Sequence, residues 1–169
     1  KFIQDYFQYK SKFLKIKNYP IFIYTPKYFY DIVIEAIKFF EKYCNLKFVI
    51  VDNKEIADVI INDKSNIIML DRLAECQYFF SSKDNHYFYI KNNINLYYFF
   101  REFKTNNNEI NEKYKKLAIK VMAHELGHAL GINGHTKDYS IMNPQNNEIM
   151  FIYPYQQYAI KIMYLDKNK

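Results

Sequence analysis

All three glycines of this 169-residue chain, Gly127, Gly131 and Gly134, fall within the twelve residues from His124 to His135, which read HELGHALGINGH. Elsewhere the chain is rich in Lys, Asn, Ile, Tyr and Phe, a bias that fits an AT-rich genome, so glycine kept in one place marks a backbone that requires it. Two histidines four residues apart on a helix stand about 40° apart around the axis, one turn above the other, so both imidazoles reach one metal ion. Glu125 lies about 100° on from His124 and about 60° from His128, which directs its carboxylate beside the ion, where a bound water would sit. Gly131 ends the helix, and His135 just beyond it supplies a third imidazole, leaving one coordination position open. Meeting all five required positions by accident is on the order of one in a million at this chain's own His, Glu and Gly frequencies, which sets accident aside.

The rest of the chain is long enough for one core, and its domain is read as residues 1–169 with the core at about 19–165. Half of the residues are apolar and a fifth aromatic, which excludes a disordered chain. The net charge of +6 comes from scattered lysines, so nucleic acid is not expected as a partner. No apolar run reaches the roughly 18 residues of a membrane span, since Ile94 to Phe100 is closed by Arg101 and Glu102. The chain does not begin with Met, and residues 1–12 hold no apolar leader core, so a processed or trimmed form is expected. Cys44 and Cys76 are too few for a disulfide framework; two packed thiols are expected, with one bridge left open.

Tyr19 to Thr25 reads as a strand, and Thr25-Pro26 as the N-cap and first position of a helix reaching Cys44, with Asn45 as its stop. Leu46 to Val51 and Ala57 to Ile61 read as strands, and Ile67–Leu70, Cys76–Phe80 and Tyr87–Lys91 as shorter ones. Asn92 to Asn111 reads as a long connection, including the polar run Thr105–Asn108. A second helix runs from an N-cap at Asn111 to Leu130, and a last one from about Pro154 to Tyr164.

The stretch HELGHALGINGH resembles the zinc signature of the metzincin metallopeptidases, and Ser140-Ile-Met-Asn-Pro144 resembles their methionine turn. The seven residues from His135 to Met142 are most similar to the matrixin branch. The order strand, helix, strand, strand over residues 19–61 is also matrixin-like, Leu73-Ala74 resembles the approach to the edge strand, and Tyr153 to Leu165 the closing helix. The resemblance implies an α+β, zincin-like fold: a twisted mixed five-stranded sheet with an active-site helix, a preceding helix A and a C-terminal helix. It implies a zinc-dependent endopeptidase in which His124, His128 and His135 hold one catalytic Zn2+ and Glu125 acts as general base and acid. Met142 would pack beneath the metal.

Substrate would lie along the edge strand, with Leu73, Ala74, Asn143 and Pro144 as candidate contacts, the wall of the pocket formed by residues 143–146 and an apolar preference expected from Phe151, Ile152 and Tyr153. Leu73 to Gln77 lacks the glycine-rich loop of animal matrixins, so structural calcium or a second zinc is not expected. A remnant site of Glu75, Cys76 and His86 is disfavoured, His86 reading as a turn residue. Pro144 stands where astacin-like enzymes carry an oxyanion tyrosine, with Tyr139 the nearest substitute. The implied partner is a protein or peptide substrate, the expected state a monomer, and secretion is favoured over the cytoplasm, with no signal peptide in the visible chain. Two other readings stand beside this one. The first is a catalytically silent metzincin-like binding domain, for which Glu125 would be dispensable; the second is a DNA-associated zinc protease, against which Gly131 and Met142 argue.

Overall fold

The structure, a computed structural model, describes residues 8–9, 12–105, 110–145 and 147–165. Asn146 and most of the Thr105–Asn108 run lie outside the described residues. The elements follow the order β1 (Gln8–Tyr9), β2 (Lys12–Lys15), β3 (Ile21–Tyr24), α1 (Tyr30–Cys44), β4 (Phe48–Ile50), β5 (Val59–Asp63), β6 (Ala74–Lys83), β7 (Tyr87–Leu96), α2 (Glu112–Ala129) and α3 (Pro154–Leu165). Short 3-10 turns cover Lys27–Phe29, Lys54–Ile56 and Tyr98–Lys104. The chain is therefore α+β, with a largely parallel sheet. No helix among the described residues is long and apolar enough to cross a membrane.

Five strands run β4-β3-β5-β7-β6, all parallel except β6, which pairs antiparallel with β7. The five-stranded expectation is corrected to seven among the described residues: β2 joins β7 in parallel ahead of the start of β5, and β1 pairs with β2. Side chains alternate along these strands, so Ile21, Ile23, Val59, Ile61, Ile90 and Ile94 share the buried face. That face, with α1, α2 and α3, encloses one core that includes Phe29, Phe40, Phe100, Met122 and Tyr164.

Three more expectations are corrected. Ile67–Leu70 is not a strand: Asp63 accepts from the Ser65 N–H (2.9 Å) and turns the chain as β5 ends, and the segment runs on as an exposed loop. Residues 92–96, expected within a connection, are the second half of β7, registered Ile61 to Ile94 against β5. Thr25 does not cap α1; its hydroxyl donates to the Pro26 carbonyl, and α1 begins after the 3-10 turn at Tyr30. Asn45 does end α1, in the left-handed conformation (φ 54°).

Candidate metal centre

The α2 helix starts where Asn111 accepts from the Lys113 N–H at 2.8 Å, satisfying one of the free amides of the first turn. It ends on Gly131 at φ 115°, a conformation strained for any side chain. There Gly131 N–H donates to the His128 carbonyl (3.0 Å) and Ile132 N–H reaches back to Gly127 (3.1 Å), closing the last carbonyls. A Cβ on Gly131 would also stand 2.3 Å from the Leu14 carbonyl oxygen, because β2 passes directly against the turn. The chain is thereby redirected so that His135 comes back over the helix.

The three imidazoles meet. His128 Nε2 lies 3.2 Å from His124 Nε2 and 3.1 Å from His135 Nε2. His124 Nδ1 donates to the Ile141 carbonyl at 2.6 Å and His128 Nδ1 to the Ile132 carbonyl at 2.7 Å. A carbonyl only accepts, so both protons sit on Nδ1 and both Nε2 atoms present bare lone pairs inward. Burial, then the neighbouring imidazoles, lowers His124 to about 3; burial takes His128 to about 4 and lowers His135 as well. Two ligands held tetrahedrally at 2.0–2.1 Å from an ion would stand about 3.3–3.4 Å apart, close to the spacing found. Three neutral donors with converging lone pairs form a group that can hold a metal ion, and it is the one such group among the described residues.

Met142 lies beneath, fully buried, in a turn fixed by Asn143 N–H to Ser140 O (3.0 Å) and Met142 N–H to Ser140 Oγ (3.2 Å). The same turn carries the Ile141 carbonyl that orients His124, so the methionine segment sets a ligand's tautomer as well as its floor.

A cleft of about 490 Å³ opens over the histidines, walled by α2 on one side and residues 69–76 on the other. Glu125 lines it, only 7% exposed; burial and then the Glu75 charge raise its carboxyl to about 7, against the lowering effects of the Arg72 and Lys120 charges and the Cys76 N–H. Leu73, Ala74 and Pro144, candidates for substrate contact, line the cleft. Asn143 does not: its side chain donates to the Asp138 carbonyl (2.8 Å) and braces the turn. The residues from which an apolar preference was expected lie elsewhere. Ile152 is buried in the core, Phe151 and Tyr153 pack on each other, and none of the three lines the cleft. Tyr139 is 75% exposed and lies outside it too. Glu75, Cys76 and His86 form no ligand group; His86 sits in the β6–β7 turn. Cys44 and Cys76 are both free.

The roles of three residues escape a reading of the sequence. Lys120, one turn before His124, is 2% exposed and donates from Nζ to the Asn143 (2.5 Å) and Gln145 (2.8 Å) carbonyls, tying the loop after Met142 to α2. Its position four residues before a ligand was the available signal. Asn92 donates to the Ala129 carbonyl at 3.1 Å, fastening the end of α2 to β7. Glu75 accepts from the Tyr97 hydroxyl, Gln77 and Arg72, and no local pattern marks it. The chain matches no protein-family model and no curated protein.

Proposed function

We propose that this chain is a zinc-dependent endopeptidase with a metzincin fold of the matrixin type, hydrolysing peptide bonds of protein substrates. The observation that carries the reading is a buried carboxyl, Glu125, in the cleft formed over three inward-facing imidazole lone pairs. His124, His128 and His135 would hold the ion, for which an all-nitrogen, neutral, three-ligand set favours zinc. Zinc held there supplies a Lewis acid for a substrate carbonyl and acidifies water at the site.

Glu125 takes a proton from the attacking water on its carboxylate and delivers it to the departing amine nitrogen. The Cys76 N–H donates to this carboxylate and steadies its charged form. The Nδ1 bonds to Ile141 and Ile132 keep both helix histidines from rotating. Among the described residues β6 pairs with β7 alone, so its other edge is open to an extended peptide beside Ala74 to Cys76.

The test is digestion of an unfolded protein by the zinc-loaded chain, beside Glu125→Ala and a chelated sample. Cutting by the intact protein alone supports the reading. One bound zinc per chain without cutting would turn it into a binding module.

A further inference from the structure

Lys120 neither holds the metal nor moves a proton in the chemistry proposed above, although its charge acts on Glu125. It leaves α2 on the same face as His124, lines the cleft with Pro144, and is almost wholly enclosed. Its ammonium has three protons, and two go to the neutral carbonyls of Asn143 and Gln145. No carboxylate forms an ion pair with it among the described residues. Arg72, the other cation in the cleft, differs: Asp71 takes its Nε and Nη2 (3.1 and 2.7 Å) and Glu75 its Nη1 (2.8 Å), so its charge is already matched. The Glu125 carboxylate acts on the ammonium from beyond ion-pair distance. A methionine would fill the space of the Lys120 stem without burying a charge, and an enclosed cation with no carboxylate in contact is costly to keep.

We propose that Lys120 is a specificity-determining residue: this end of the cleft selects polypeptides that place an Asp or Glu side chain beside the scissile bond, its carboxylate meeting the Lys120 ammonium between α2 and the segment 143–145. The inference rests on the endopeptidase reading and names its substrate class. A carboxylate supplies both a third acceptor and an ion-pair partner in contact, whereas an apolar side chain would desolvate the ammonium further and an amide would bring no charge to it.

The experiment profiles a random peptide library by mass spectrometry with the full zinc-loaded chain, Lys120→Met and Lys120→Arg. The expected wild-type result is at least a tenfold preference for Asp and Glu over Asn and Gln at one position flanking the cut. Lys120→Met should cut with that ratio near one, and Lys120→Arg should retain it. A Glu-bearing peptide should also inhibit the wild type at least tenfold better than its Gln counterpart, a comparison that holds even if a Lys120 variant fails to fold. A wild type with no acidic preference, or a Lys120→Met profile identical to it, overturns the role of Lys120 and leaves the endopeptidase standing. A wild type that cuts no peptide overturns both.

Discussion

A Cβ added to Gly127 would stand 2.5 Å from the sulfur of Met142, so the helix carrying the histidines and the turn beneath them touch at a point with no room for a methyl group. The Met142 side chain and the missing side chain of Gly127 are one fitted pair. Gly127→Ala should therefore cost about 1–3 kcal/mol through overpacking. Met142→Ala should cost about 2–5 kcal/mol through a cavity. The double variant should lose clearly less than the sum, since each change makes room for the other. Urea unfolding of the four proteins measures this, and additive losses would mean the contact carries no coupling.

The other two glycines should separate cleanly. Gly131→Ala meets both a positive φ and the Leu14 carbonyl, so about 1–3 kcal/mol or more should be lost, with weaker metal binding because His135 follows the turn. Gly134→Ala meets nothing within 4 Å and should stay within about 0.5 kcal/mol of wild type. Thermal unfolding with and without zinc distinguishes the two.

Zinc should bind one per chain and raise stability by about 2.7 kcal/mol at a hundredfold excess over Kd. Alanine at His124, His128 or His135 should each remove that increment, whereas Glu125→Ala should keep it. Metal analysis and calorimetry with a chelator control check the pattern, and a zinc response surviving the loss of two histidines would place the ion elsewhere.

The Tyr164 hydroxyl accepts from the Ile16 N–H (2.9 Å) and donates to the Leu130 carbonyl (2.7 Å), both buried. Tyr164→Phe strands two enclosed backbone groups and should cost about 1–3 kcal/mol. Denaturant midpoints read the loss, and a neutral result would show that water replaces the hydroxyl.

Asp63 gathers Tyr28, Ser65 and Lys104 at the end of β5. Burial acts to raise its carboxyl, but these bonds outweigh it and hold the group well below the usual carboxylate range. A depressed folded pKa gives stability that is complete above the unfolded value of about 3.9 and disappears as pH falls through the folded one. Asp63→Asn should thus cost about 1 kcal/mol at pH 7, allowing for solvent screening, and progressively less below pH 4. Melting curves at pH 7 and pH 3 give the comparison.

How much of this was legible in the sequence depended on whether a residue's partner was local. The histidines, Glu125 and the Asn111 and Gly131 ends of α2 were readable because helical geometry alone relates them. Residues 92–96 were not, since Asn92, Asn93 and Asn95 contradict a strand pattern; Asn92 and Asn95 direct their amides to Ala129 and Glu75, contacts made only in the fold. Ile67–Leu70 misled in the opposite sense, apolar residues left on a loop by the turn at Asp63. Lys120 could be placed near the site only by its spacing from His124, because the carbonyls of Asn143 and Gln145 that enclose it meet it only in the fold.

The reach of Tyr164 has a consequence for biosynthesis. Ile16, Leu130 and Tyr164 lie near the start, the late middle and the end of the described chain, and one hydroxyl joins them. A ribosome delivers His124 to His135 before it delivers the turn that orients His124 or the helix that seals the Gly131 bend. The nascent chain therefore exposes its histidines while their supports are still unmade, and a finished site must await the emergence of α3 from the exit tunnel.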